Sequence, residues 1–284
     1  FIMHLAPGNV AAMILGENAT KEQIAALEAE MGLDRPLLIQ YLDYLLGLLH
    51  GDLGTSYTTG ASVTSEIMAR FPYTVVLTLV AAVVSILLAL PLGILAAVKQ
   101  NTWVDNVSMV VSLIGVSMPI FWLAVMLILF FSLKLGWFPV YGANSWDSIV
   151  LPAISLGFMN MASIARTTRS SMVETIRQDY IRTAYAKGLS KGTIIMRHAF
   201  RNGMLPTITV IGLEIGQMLG GSVLTETVFA WPGVGRLMIQ SINGRDTPMV
   251  MGCIILMTIC FSFVNLIVDL LYGVVDPRVR TMYR

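Results

Sequence analysis

Charge is scarce in this chain of 284 residues: Asp, Glu, Lys and Arg make up only 12% of it, against 56% hydrophobic residues. With a mean hydropathy of +0.74, that balance excludes an ordinary soluble domain and describes a polytopic membrane protein. Histidine and cysteine are scarcer still. The three histidines, His4, His50 and His198, are scattered, and neither His-Glu-x-x-His nor Cys-x-x-Cys occurs, so no metal-ligand spacing is present. Cys253 and Cys260 stand i,i+7 in one apolar run, too far apart on a helix to bridge, and read as small packing residues. There is no Gly-x-x-x-x-Gly-Lys-Ser/Thr, so the chain has no phosphate-binding loop of its own. No constellation of nucleophile and base lies inside the apolar segments, which argues against an enzyme. The net charge of +1 carries no signature of a nucleic-acid partner. The 18 methionines suit flexible gap-filling in a helix bundle better than a metal pathway.

What is present is a succession of long apolar runs. Residues 1–6 read as the end of a membrane span whose beginning is missing, and residues 7–72 as an external segment of short helices. Residues 73–284 read as an all-α transmembrane core. In the external segment, Thr20 and Gln23 form a capping box for a helix that stops at Gly32. Leu37–His50 is apolar but too short to cross, which predicts an interfacial or packed helix. Ser62–Phe71 reads as an amphipathic lead-in ended by Pro72. Five spans follow, at Thr74–Val98, Val104–Leu133, Ile149–Ala165, Leu205–Val228 and Val250–Val275, each near the ~20 residues a bilayer requires. Pro91 and Pro119 should kink the first two. Lys99, the basic stretch after Ala165 and the tail with Arg278, Arg280 and Arg284 fall on one side, which the positive-inside rule makes cytoplasmic. Trp103, Trp137 and Trp231 lie near span ends, where interfacial aromatics are expected.

The long polar break Arg166–Pro206 carries eight basic residues against Glu174 and Asp179. It reads as two helices, the first ending at Gly188, the second capped by Ser190 and stopped by Asn202-Gly203. A basic helix–break–helix between spans has the form of a docking surface; positive-inside charge alone leaves the small residues around its helix end unexplained. Gly212, Gly216 and Gly220 share one helix face at spacing four, suited to close packing within the chain or against another subunit. Glu214 and Asp269 stand out as acids inside spans, with either a pore role or a structural pairing. The external loop Glu226–Arg236 and its continuation to Pro248 hold Phe229 and Trp231 among glycine and proline. Such a loop should pack back on the bundle or meet a partner.

Arg182-Thr183-Ala184-Tyr185-Ala186-Lys187-Gly188-Leu189, followed by Arg197-His-Ala-Phe-Arg-Asn202 and Leu205-Pro206, resembles the cytoplasmic coupling motif of ABC-importer permeases of the dipeptide/oligopeptide/nickel branch. Leu5-Ala-Pro-Gly8, Gly32-Leu-Asp34, Gly51-Asp-Leu-Gly54, Phe229-Ala-Trp-Pro-Gly-Val-Gly235, Arg245-Asp246 and Asp276-Pro-Arg278 agree in family order from end to end. The wider superfamily begins its motif with Glu-Ala-Ala, where this chain has Arg182-Thr183-Ala184. Its Ile-x-Leu-Pro also follows the glycine sooner than Leu205-Pro206 does; both departures are typical of the peptide/nickel branch, and they leave a role for Arg182 itself open.

The resemblance implies a type I ABC-importer permease fold of six spans, in the bacterial inner membrane. It implies a second homologous permease, two ATPase subunits that use ATP and Mg, an extracytoplasmic solute-binding protein, and no cofactor on this chain. Arg182–Leu189 would dock on an ATPase within the coupling region 166–204. Phe229, Trp231, Pro232, Gly233, Gly235, Arg245 and Asp246 would lie in a loop facing the binding protein. Peptide is the first choice of cargo, and nickel or a metal chelate the second. From residues alone the rivals are a secondary transporter, which should show an internal repeat that is not evident here, and an assembly subunit.

Overall fold

The computed structural model describes residues 9–16 and 18–275. The expected end of a first span at residues 1–6 and the basic tail beyond Val275 lie outside them. Among the described residues every regular element is helical, apart from one isolated bridge between Thr55 and Ser62. The helices are α1 (Val10–Leu15), α2 (Lys21–Glu30), α3 (Leu37–Leu49), α4 (Val63–Val98), α5 (Trp103–Ser117) and α6 (Ile120–Leu127). They continue as α7 (Val150–Ile176), α8 (Asp179–Ala186), α9 (Lys191–Thr193), α10 (Arg201–Gly221), α11 (Val223–Val228), α12 (Val234–Asn243) and α13 (Thr247–Val275). Contacts divide the chain into two compact units: one takes the residues up to Thr74 with Pro232–Met257, the other Val75–Trp231 with the residues from Thr258 onward.

In the first unit the capping box forms as read. Thr20 Oγ1 accepts from the Gln23 amide at 3.3 Å, and Gln23 Oε1 accepts from the Thr20 amide at 2.9 Å. Gly32, just past α2, sits at φ +68°. α3 buries none of its residues and exposes Leu38, Leu42, Leu46 and Leu49. Val63 and Ile67 at the start of α4 pack with Val234, Leu237, Met249 and Cys253. That burial carries α4 straight through Pro72, so the expected stop there does not occur.

Asp246 is fully buried and is the polar centre of this unit. Its carboxylate accepts from the Ser56 hydroxyl, from Thr58 Oγ1 at 2.9 Å and the Thr58 amide at 3.3 Å, and from the Met249 amide at 3.3 Å. Asp246 thus caps α13 and ties the 56–58 loop to it. Burial holds the Tyr57 phenol above its ordinary pKa, and the Asp246 charge pushes the same way. Gly233 and Gly235 are also buried, and Pro232 and Arg245 half-buried.

In the second unit, α7 is the hub. Of the candidate spans it is the most enclosed, with 61% of its apolar stretch buried against 33% for α4 and 17% for α13. Glycines let neighbouring backbones meet it: a methyl group at Gly157 would lie 2.7 Å from the Ala81 carbonyl oxygen of α4. One at Gly93 would lie 2.7 Å from the Ala165 carbonyl oxygen. α7 does not stop at Ala165 as expected but runs to Ile176, because Thr168, Ser171 and Met172 are buried on its inner face. Pro119 does more than kink its span. α5 and the segment Ile120–Lys134 meet at 100°, with Met118 held extended before the proline.

Asn202-Gly203 does not end a helix. α9 passes through a π-helical stretch, Ile194–Phe200, directly into α10. The reason is tertiary: the Gly203 carbonyl accepts from Ser171 Oγ at 2.5 Å, and Asn202 Nδ2 donates to the Tyr180 hydroxyl at 3.2 Å as well as to the His198 carbonyl one turn back at 2.9 Å. Among the described residues, three helices are long and apolar enough to cross a membrane, or four counting the bent pair. The expected Leu205–Val228 span is divided at Ser222 and made more polar by Glu214 and Gln217.

The external loop turns inward. Phe229 packs on Ala124 and Leu151, and Trp231 joins Leu77, Ala81, Leu156 and Met218; they are 2% and 5% exposed. Trp231 is therefore a core residue rather than an interfacial anchor, whereas Trp103 and Trp137 are exposed. Glu226, fully buried, accepts from Ser222 Oγ at 2.8 Å and offers its carbonyl to the Trp231 amide at 2.8 Å. With Phe229, Trp231, Gly233, Gly235 and Asp246 buried, the expectation that these side chains face a binding protein is corrected: they hold the loop to the chain. Asp246→Ala should lower stability by about 3 kcal/mol, the sum of a lost cap and two stranded hydroxyls. Asp246→Asn should lose less, as read by thermal unfolding in detergent.

Candidate coupling site

α8 is short, and its sequence DYIRTAYA separates two faces. Ile181 and Ala184, three apart, are buried against Ala97, Met172, Ile194 and Ala199. Asp179 stands in the first turn, where its charge suits the helix dipole. The C-terminus closes in a Schellman motif: the Gly188 amide donates to the Tyr185 carbonyl at 3.0 Å and the Leu189 amide to the Ala184 carbonyl at 3.3 Å. Gly188 has φ +78°, a conformation in which a side chain is strained. Ser190 then caps the next turn, accepting from the Thr193 amide at 3.3 Å. Both caps stand where the sequence puts them.

Arg182, Thr183, Tyr185, Ala186, Lys187, Gly188 and Leu189 are exposed. Ala184 is not; it is 6% exposed and seats the helix, so it is turned away from any docking face. Tyr180, Tyr185 and Leu189 form exposed apolar points among the exposed cations Arg177, Arg182, Lys187, Lys191, Arg197 and Arg201. The Arg182–Asp179 pair at 3.7 Å is open to water and contributes little. Such a surface fits a groove that is apolar within and acidic at its rim.

The platform under α8 is held by ties that all reach α7. Arg169 meets Asp105 of α5 in a two-pronged ion pair, Nε to Oδ1 at 2.6 Å and Nη2 to Oδ2 at 2.7 Å, and the Asn101 amide adds a third bond to Oδ2 at 3.0 Å. Asp105 is almost wholly buried and Arg169 about three-quarters so. Arg177 donates to Gln100 Oε1 at 3.1 Å, Thr207 Oγ1 to Thr168 Oγ1 at 3.4 Å, and Ser171 Oγ to Gly203. The backbone and side chains of the 100–105 turn and the start of α10 are thereby fixed to one helix.

Asp105 and Glu226 fall inside expected spans, as Glu214 and Asp269 do, yet sequence reasoning passed over both. The signal for Asp105 was an acid three residues into an apolar helix, facing an arginine in the next long helix. Of the glycine run, Gly212 and Gly216 face α13: a methyl at Gly212 would lie 2.1 Å from Val268 Cγ2, and one at Gly216 3.3 Å from Phe261 Cδ2. Gly220 faces open space. Two of the three therefore serve packing within the chain. Asp269 is exposed on α13 and Glu214 half-buried on α10. Among the described residues, no three His, Cys, Asp or Glu side chains converge as a metal site.

Residues 89–281 match the family described as binding-protein-dependent transport system inner membrane component, and residues 1–78 match its N-terminal companion family. The chain is 44% identical to the dipeptide transport system permease protein DppB of Alkalihalophilus pseudofirmus, covering 98% of this chain and 92% of that one. It is 41% identical to the glutathione transport system permease protein GsiC of Salmonella typhi, covering 98% and 91%. Its fold is similar to that of the MetNI methionine ABC transporter in inward-facing conformations, with a TM-score of 0.64 at 18% identity over 74% of this chain and 96% of that one. An amino acid ABC transporter gives a TM-score of 0.55 at 16% identity, over 76% and 94%.

Breaking the buried pair should be costly. Asp105→Asn leaves a guanidinium without its carboxylate and should destabilise the protein by about 3 kcal/mol. The double variant Asp105→Asn/Arg169→Gln should lose less than the two single losses combined, in a thermal-unfolding double-mutant cycle.

Proposed function

This chain belongs to the binding-protein-dependent transport system inner membrane components, the permease chains of ABC importers, and on that premise we propose that it forms half of a pore for di- and oligopeptides. The names of the two relatives support peptide-like cargo. The observation that carries the coupling mechanism is α8: a helix seated by Ile181 and Ala184 that offers Tyr185, Leu189 and a ring of cations outward.

In this reading the exposed face of α8 sits in a groove of an ATPase subunit in the cytoplasm. The ATPases, not this chain, hold ATP and Mg and carry out hydrolysis. Closure of the ATPase pair moves both permeases' coupling helices together, and each drags α7 and α10 through the seat of Ile181 and Ala184, the two long helices being tied to each other at Ser171 and Thr168. The pore opens outward to receive cargo from a solute-binding protein; hydrolysis resets it. Nucleotide and cargo thus bias the same two-state element from opposite ends. A second, homologous permease completes the pore in the bacterial inner membrane.

The reading is tested with the whole complex in liposomes: this permease, its partner permease, the ATPases and the binding protein. ATP-dependent uptake of a labelled dipeptide is expected; uptake without nucleotide would make the chain a carrier, and uptake of a nickel chelate instead of peptide would reassign the cargo. Gly188→Asp, which forces a side chain into the left-handed position, should abolish cargo-stimulated ATP hydrolysis while the chain stays in the membrane. Tyr185→Asp should reduce it about tenfold or more, the scale of losing one buried aromatic contact. Normal stimulation in both would remove α8 from the coupling path.

A further inference from the structure

The seam between α7 and α10 carries polar side chains that the coupling mechanism does not use. The two helices run antiparallel in a register marked by Ser171 with Gly203, by Thr168 with Thr207, and by Leu156 with Met218 in one core cluster. That register places Asn160 and Glu214 at the same level. Along α7, Asn160, Ser163, Thr167, Ser170 and Glu174 recur at three- and four-residue steps and so share one face. All of them are half-buried or exposed. On α10, Glu214 is half-buried and Gln217, three residues on, is exposed.

The outward faces of α4, α5 and α13 in this unit are largely apolar, with Asp269 an exception near the end of α13. Leu79, Val83 and Leu87 of α4, Val107, Val110 and Leu113 of α5, and Ile259, Phe263, Leu266 and Leu270 of α13 are exposed and apolar, as a lipid-facing surface requires. A carboxylate at mid-span costs several kcal/mol against lipid and belongs on a bundle interior or a water-filled path. Asn160 spends its amide on the Leu156 carbonyl of its own turn, at 2.8 Å. Among the described residues, no hydrogen bond or ion pair engages the Glu214 carboxylate.

We propose that the α7–α10 seam is this chain's share of the translocation path, and that Glu214, with Asn160 Oδ1 beside it, is a contact for the free ammonium group of a passing peptide. The proposal rests on the peptide-importer reading and adds to it a ligand class, a primary ammonium, and an address. The carboxylate and the amide oxygen both accept, and an ammonium has three hydrogens to donate. A single acid with one amide neighbour binds weakly enough for cargo to leave, as conduction demands. Ser163 and Thr167 continue the polar track along α7 toward Glu174, and Gln217 extends it along α10 the other way.

The test uses the reconstituted four-component complex and Glu214→Gln, which keeps shape and removes charge. Initial uptake of a dipeptide with a free amino terminus should fall about tenfold, the scale of one charge-assisted hydrogen bond. Glu214→Asp should recover most of that rate, and the ATPase subunits should co-purify at wild-type level. In parallel, Glu214→Cys and Asn160→Cys, in a chain with Cys253 and Cys260 replaced by serine, should react with a membrane-impermeant cationic thiol reagent, and dipeptide should slow the reaction. Uptake by Glu214→Gln equal to wild type, or labelling only by lipid-soluble reagents, would overturn the proposal. If the wild-type complex takes up no peptide, the importer reading falls, and the labelling alone decides whether the seam holds water.

Discussion

Backbone contact along α7 is the constraint on which the second unit depends. In hydrocarbon there is no hydrophobic drive between helices, so association rests on close van der Waals packing and on interhelical polar bonds. Gly157 and Gly93 supply the first, each letting a backbone carbonyl of the other helix close against it. Asp105–Arg169, Thr207–Thr168 and Ser171–Gly203 supply the second at the other end of the helix. A side chain at either glycine would push α4 away from α7, and a lost partner in the ion pair would loosen α5 from α7.

That arrangement is what the proposed coupling by a helix of eight residues would act through. α8 is too short to be stable alone. It is held by Ile181 and Ala184 against Met172 of α7 and against Ile194 and Ala199 just ahead of α10. A pull on its outer face is therefore a pull on both long helices at once. The Schellman closure at Gly188 and the Ser190 cap make the turn after it rigid, so displacement passes on rather than being absorbed. The π-helical stretch Ile194–Phe200 leads without a break into α10, whose far half bears Glu214 and the glycines that meet α13.

Local chemistry was legible in the sequence wherever it acts through near neighbours. The Thr20–Gln23 box, the Gly32 and Gly188 helix ends and the Ser190 cap each depend on residues within five positions, and each stands where the spacing puts it. The break at Pro119 was legible in place but not in size, because the angle is set by what the two halves pack against. Legibility failed where distant residues override local signals. Asn202-Gly203 carries the marks of a helix stop, but Ser171, 32 residues earlier, claims the Gly203 carbonyl. Arg166 and Arg169 mark the start of a polar break after the span, yet buried Thr168 and Met172 carry the same helix on to Ile176. Asp105 drew no reading of its own, because its partner stands 64 positions away. The aromatic loop had two readings, surface or core, and only packing could choose core for Phe229 and Trp231.

The central claim is that the outward face of α8 is what an ATPase subunit grips. Site-specific cross-linking tests it most directly, with single cysteines at Thr183, Tyr185 and, as the inward-facing control, Ile181, in a chain whose two native cysteines are replaced. In membranes containing the assembled complex, a short thiol-to-amine reagent should join Thr183→Cys and Tyr185→Cys to an ATPase subunit, in a yield that changes with nucleotide, and should leave Ile181→Cys unjoined. Cross-links from Ile181→Cys alone, or none from the exposed positions in a complex that still transports, would contradict it.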